Sequence, residues 1–411
     1  MYPVIRSVFS LYLVTGILAS GNGLLGTIIG IRASEENFSI QVIGLIMGCY
    51  FLGFVSGVFI WPGIIRRVGY IRAFAVIATS ASIVAILYIL VLNPFAWGVL
   101  RVLSGFCAVG WHIIIESWLN VESPKSYRGK VLSVYTSISM LSIAVGQFLI
   151  TFGDISNFEN FGLASILLSL SLIPIAMTTL SEPAHISIPK PDIPRMVSSV
   201  PLGIAGAIVA GLIGGAFWGM GPVFAYSIKM PPVEVAMFMC VTAIGGGVFQ
   251  WPIGKLSDRF DRRKLIFFIC IFGAFFTVMS YFVLHIWVKA LFFLAFFWGG
   301  PVFSVYALSI AHVTDYLEPH EVLGATGTML FANGFGAGIG PVVAGILMQN
   351  FGSSALFAMI AFLLVLLGLY SLYRVTRRLP VPPERRAEYI PLVRTSQVAL
   401  EMDPRANPDG K

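Results

Sequence analysis

Arg101, His112 and Glu116 lie in one apolar stretch, and with Gly105 and Ala108 between them the spacing runs 4, 3, 4 and 4. Intervals of three and four return to the same side of a helix, so all five residues share one face. Arg101 to His112 is then about 16 Å along the helix axis. Each of the three polar groups could do a different job. A guanidinium can hold an anion or tie down backbone carbonyls. An imidazole titrates near neutral pH. A carboxylate in an apolar setting either carries a proton or anchors a basic group. The stripe is expected to line a polar path, with Arg101 near the outer mouth and His112 deeper. Structural readings stand beside these: Arg101 as a packing anchor, His112 as an ordinary hydrogen-bonded residue, Glu116 as the partner of a basic segment.

The setting of these groups is lipid. The chain has 411 residues, of which 57% are hydrophobic and only 11% charged. A soluble domain carries roughly 25% charge, so a soluble enzyme, a secreted domain and a disordered chain are excluded. Twelve apolar runs are long enough to cross a bilayer: 8–31, 39–61, 73–92, 96–119, 131–152, 160–181, 200–226, 234–254, 265–284, 290–313, 324–347 and 355–374. They are too long and continuous for the alternating strands of an outer-membrane barrel. The first continues apolar to Ile31, past the length of a cleavable signal. Away from the span ends, Arg101 and Glu116 are the only fully charged residues inside these runs. Each costs on the order of 2.5–3.5 kcal/mol to insert, so each needs a reason. Cys49, Cys107, Cys240 and Cys270 sit in apolar runs without metal-site spacing and are expected as core residues.

Lys and Arg placement gives the orientation. With the N-terminus inside, 22 of the 26 basic residues fall in inner segments and three in outer loops. Both termini are therefore expected to be cytoplasmic.

The chain also reads as a duplication. Pro62–Arg72 after the second run and Gly254–Lys264 after the eighth are related by an offset of 192 residues, which also pairs Ser117 with Ser309 and Val121 with Val313. Near the end, Asn160-Phe161-Gly162 pairs with Asn350-Phe351-Gly352 at an offset of 190. Two parallel six-helix repeats imply a site near the bilayer midplane. The expected organisation is a bundle over 1–181, a proline-rich cytoplasmic linker over 182–199, a second bundle over 200–374, and a disordered cytoplasmic tail over 375–411.

Gly254, Asp258, Arg259, Arg262 and Arg263 resemble the G-x-x-x-D-R-x-G-R-R signature of the major facilitator superfamily, with Asp261 in place of the second glycine. The first copy keeps Arg67 and Gly69, but Pro62 replaces the first glycine and Arg66 the aspartate. Arg101 and Gly105 resemble the family's R-x-x-x-G motif in helix 4. Gln250 through Gly254, Glu116-Ser117, Arg128-Gly129-Lys130 and Met348 through Phe351 are similar to the bacterial YcaD-like branch. The resemblance implies an all-α membrane protein of two six-helix bundles and a transport role, without naming a cargo. It also implies a latch at the cytoplasmic side. There Gly254 allows two helices to approach, Asp258 sits at a helix N-terminus, and Asp258, Arg259 and Arg262 engage Asp315 or Glu318. In the first half Arg66 or Arg67 is expected to engage Glu116 or Glu122.

Uncharged candidates for the substrate cavity are Asn22, Trp111 and Tyr135 in the first half. In the second they are Trp218, Gln250, Tyr306 and Asn333, with Tyr226 and Ser309 beside them. Aromatic and amide groups suit a neutral or amphiphilic ligand. Gly334, Gly336, Gly338, Gly340, Pro341 and Gly345 mark the eleventh run as closely packed and bendable. No nucleotide loop, metalloprotease or hydrolase motif and no metal cluster occurs in the sequence, so no enzymatic role, cofactor or metal is expected. The expected function is secondary active transport of a small organic solute by alternating access, with protons as a candidate coupling ion, in the bacterial inner membrane, as a monomer, with no nucleic-acid partner. Two other readings stand beside it: an exporter of amphiphilic drugs or lipids, and a non-transporting assembly or sensing factor built on a carrier fold.

Overall fold

The computed structural model describes residues 8–124, 127–178, 182–183, 193–284, 286–317, 321–377, 380–382, 386 and 389. Among these, twelve helices are long and apolar enough to cross a membrane. In chain order they are α1 (Phe9–Glu35), α2 (Ile40–Val68), α3 (Tyr70–Leu90), α4 (Pro94–Glu122), α5 (Arg128–Phe148) and α6 (Glu159–Leu170). The second set is α7 (Pro201–Ser227), α8 (Pro232–Arg259), α9 (Arg262–Val283), α10 (Ala290–Thr314), α11 (Val322–Phe351) and α12 (Ala355–Arg377). A 3₁₀ turn, Leu149–Phe152, extends α5, and Leu172–Ala176 extends α6. A short helix, Ile193–Ser199, precedes α7; residues 184–192 of the expected linker lie outside the described residues.

All twelve expected runs are helices, and several outlast them. The chain stays helical to Val68 where the apolar run ends at 61, to Glu122 instead of 119, and to Arg259 instead of 254. Nothing in the polar layer forces a helix to end when hydropathy falls; an end needs a stop signal. The two basic segments are accordingly helical, and each breaks at one point. In the first, Gly69 adopts φ +87°, a conformation that favours glycine. In the second, the break falls at Phe260 and Asp261, and the Asp261 side chain accepts from the Arg263 N–H at 3.0 Å as an N-cap. Asp261 stands at the position equivalent to Gly69 by the offset of 192. One boundary is thus made by two chemistries.

The chain divides near residues 189 and 190 into two compact units. In the first, a Cβ on Gly53 of α2 would collide with the backbone carbonyl of Val102 on α4, and one on Gly105 of α4 with that of Tyr50 on α2. Gly146 of α5 meets the Ser20 carbonyl of α1 in the same way. Lipid gives helices no hydrophobic drive to associate, so close backbone approach through small residues is what holds such pairs.

The second unit repeats the device. Gly245 of α8 abuts the Phe296 carbonyl of α10, and Gly299 of α10 abuts that of Thr242 on α8. Gly336 and Gly340 of α11 abut the Ile208 and Leu212 carbonyls of α7. Gly53 and Gly245, and Tyr50 and Thr242, are again 192 residues apart, and Gly146 and Gly336 are 190 apart. The repeat that few identities reveal in the sequence recurs in the helix crossings.

Candidate functional site

Asn93 starts α4, its side chain accepting from the N–H groups of Phe95 and Ala96 at 2.9 and 3.1 Å, with Pro94 at the first helical position. This fixed start sets the register of the polar face. Toward its far end, Glu116 is fully buried, and its Oε1 accepts from the Tyr135 hydroxyl of α5 at 2.8 Å. The same hydroxyl lies 2.8 Å from Nδ1 of His112, and that nitrogen is 3.7 Å from Glu116 Oε1. A phenol has one proton. When it is given to the carboxylate, Nδ1 must be the donor to Tyr135. When the carboxyl is protonated, both bonds can run the other way. The Trp111 ring lies beside that of His112, with centroids 6.0 Å apart. His112 and Glu116 share a face of α4 as their spacing predicts, and Tyr135 of α5 joins them into one chain of hydrogen bonds.

Arg101 is 7% exposed, with its guanidinium carbon 4.8 Å from the centre of the Tyr50 ring. Tyr88 of α3 is buried on the same side, its hydroxyl 3.4 Å from Ser104 Oγ of α4. Asn22 of α1 is half-buried. A cation over an aromatic face is stabilised without a counter-charge. Gly105, one turn on, packs against the carbonyl of the same Tyr50. Tyr50 and Tyr88 are the site residues that the sequence did not single out.

At the end of α8, Arg262 lies 3.7 Å from Asp258 and 3.3 Å from Asp315, with only 1% of its side chain exposed. The second signature segment therefore assembles Asp258, Arg262 and Asp315; Glu318, the alternative partner, lies outside the described residues. The atoms nearest to a Cβ on Gly254 belong to the Tyr389 ring, and Asp258 Oδ1 accepts from the Tyr389 N–H at 2.9 Å. The Arg259 carbonyl accepts from Arg386 Nη1 at 3.1 Å. Asp261 forms a two-point pair with Arg263, at 2.7 and 3.0 Å. Burial raises the Asp261 pKa, but the Arg263 hydrogen bonds and charge outweigh it and hold the carboxyl below its ordinary value.

The first segment departs from expectation. Arg66 and Arg67 are exposed and make no ion pair among the described residues, so the structure does not bring them to Glu116. They stay on the polar end of α2, whereas Glu116 points into the packed face of α4. The acid beside Gly69 is Glu182, whose Oε1 accepts from the Ile71 N–H at 3.5 Å at the start of α3. The anion that the first signature copy lacks is supplied at that helix N-terminus by the linker.

In the second unit Trp218 packs on the rings of Phe217 and Phe303. Tyr306 is buried and Gln250 half-buried. The Asn333 amide donates to the Ala207 carbonyl of α7 at 3.0 Å, which occupies it within the α7–α11 crossing.

The family model described as Major Facilitator Superfamily matches residues 11–305 and again residues 203–402. The chain belongs to that superfamily. Among its relatives, the uncharacterized MFS-type transporter YcaD of Escherichia coli strain UMN026 is 25% identical over 365 residues, covering 87% of this chain and 92% of the relative. The same transporter from Escherichia coli strain DH10B is 24% identical over the same shares. A solved variant of the nucleoside transporter NupG superimposes with a TM-score of 0.76 at 13% identity, over 90% of this chain and 100% of that one. A D-xylose–proton symporter gives 0.70 at 14% identity, over 92% and 99%. At such identities the likeness of the solved structures shows the fold. This multi-pass membrane protein is a superfamily transporter.

Proposed function

We propose that the protein is a secondary active carrier of a small organic solute, neutral or amphiphilic, working by alternating access in the bacterial inner membrane with proton coupling. The observation that carries the coupling is the His112–Tyr135–Glu116 chain, in which Tyr135 and Glu116 are buried and His112 is half-buried. A carboxylate inside a lipid-embedded bundle costs several kcal/mol and marks a function when it is retained. The two directions of the Tyr135 hydroxyl give a proton two stable addresses, one on Glu116 and one on His112. Arg101, buried and already covered by the Tyr50 ring, fits a neutral cargo better than an anion that would have to displace that ring. The nucleosides and D-xylose of the fold neighbours are theirs and set only the size range of solutes worth testing. The latch residues Gly254, Asp258, Arg259, Arg262 and Asp315 serve to hold the end of α8 and α9 in one arrangement until the carrier turns over.

The test is purified protein in liposomes loaded with a pH-sensitive dye and challenged with a panel of sugars, nucleosides, amino acids and amphiphilic cations. At least one solute should drive proton movement. Glu116→Gln should abolish that movement while solute exchange at equal concentrations persists, and His112→Ala should flatten its pH dependence. Solute flux in wild type with no proton movement would overturn the coupling. Absence of flux with every solute would favour the non-transporting reading.

A further inference from the structure

The C-terminal end of α8 is covered by a piece of the chain that membrane spanning does not require. Residues beyond α12 return to it through three separate contacts. The Arg386 guanidinium donates from Nη1 to the carbonyl of Arg259, the last residue of α8, and from Nε to the carbonyl of Val381, both at 3.1 Å. One planar fork thus ties Val381 to the end of α8 and places a cation on the negative end of the helix. Three residues later, the Tyr389 N–H donates to Asp258 at 2.9 Å. The Tyr389 ring, 9% exposed, lies where a Cβ on Gly254 would come within 2.6 Å of it. The glycine and aspartate of the signature segment are therefore the floor and the acceptor of a peptide-binding surface.

The geometry points to an intramolecular docking site: the signature segment at the end of α8 receives Val381, Arg386 and Tyr389 of the chain's own C-terminal segment as a detachable strap, which steadies the Asp258–Arg262–Asp315 cluster while it is docked. Asp258 is the shared member, with one oxygen facing both the Tyr389 N–H and Arg262. The attachment is built from a few hydrogen bonds and one ring rather than a long apolar seam, and the Asp258 side chain remains 43% exposed. Such a contact opens locally without unfolding the bundle. When the strap leaves, the α8 carbonyls lose their cation and Asp258 turns to Arg262 alone. The inference concerns the contact and does not depend on which solute is carried.

The experiment is hydrogen exchange by mass spectrometry on the full chain in lipid nanodiscs. The peptide containing Tyr389 should exchange about tenfold faster in Asp258→Ala than in wild type. Arg386→Ala and Tyr389→Ala leave every membrane helix unaltered, so they report even where Asp258→Ala fails to insert. Both should speed exchange over residues 254–264 by a similar factor. Equal exchange of the Tyr389 peptide in wild type and Asp258→Ala would overturn the docking. Unchanged exchange over 254–264 in both tail variants would overturn the steadying role.

Discussion

Asp261 shows how a single side chain can end one helix and begin the next. It caps α9 and grips Arg263 at two points, and only 13% of its side chain is exposed. Asp261→Ala should lower stability by about 1–2 kcal/mol, read as a fall in melting temperature in detergent at neutral pH. The sign of the pH dependence follows from the lowered pKa. The stabilisation is complete above the unfolded value of about 3.9 and is lost as pH falls through the lower folded value. The gap in melting temperature between wild type and variant should therefore narrow as pH falls below the unfolded value. A gap that stays constant into acid would mean that the charge contributes nothing. At this scale the sequence was informative about α4, where rarity of charge and helical spacing pick out Arg101, His112 and Glu116. It was silent on Tyr50 and Tyr88. They come from other helices, and aromatic residues are too common in an apolar chain for any one to stand out. It also misled on Arg66 and Arg67, because like spacing in the two segments does not ensure that an acid lies within reach of both.

Among helices, glycine decides which pairs touch. A Cβ on Gly105 would sit 2.8 Å from the Tyr50 carbonyl carbon and 2.9 Å from the Phe54 nitrogen, backbone atoms that cannot swing aside. Gly105→Val should cost about 1–3 kcal/mol or more through overpacking, seen as a smaller monodisperse fraction in size-exclusion chromatography. Gly247→Ala is the control, since nothing lies within 4 Å of its added carbon. If both variants behave alike, the α2–α4 crossing is not held by close approach. The existence of all twelve helices was legible from hydropathy, because lipid demands long apolar runs. Their ends were not, because a helix continues into the polar layer until Gly69, Asp261 or a similar residue stops it. The glycines of α11 were legible as a packing face, but their partner, α7, lies more than a hundred residues away in sequence and left no local trace.

For the whole molecule, the distribution of basic residues is the strongest signal. With 22 of 26 on one side of the expected topology, a fluorescent protein fused after Lys411 should fold and glow in bacterial cells, and alkaline phosphatase at the same point should be inactive. The opposite pattern would reverse the orientation. The two units share a fold plan and helix crossings but not chemistry: both deeply embedded full charges belong to the first, on the single continuous helix α4. That asymmetry has an electrical consequence. A rigid rod bearing a positive group toward one end and a negative group toward the other transfers no net charge when it shifts through the bilayer. Once Glu116 takes up a proton, Arg101 is left unbalanced. The same shift then couples to the membrane voltage, at up to about 2.3 kcal/mol for a full crossing at 100 mV.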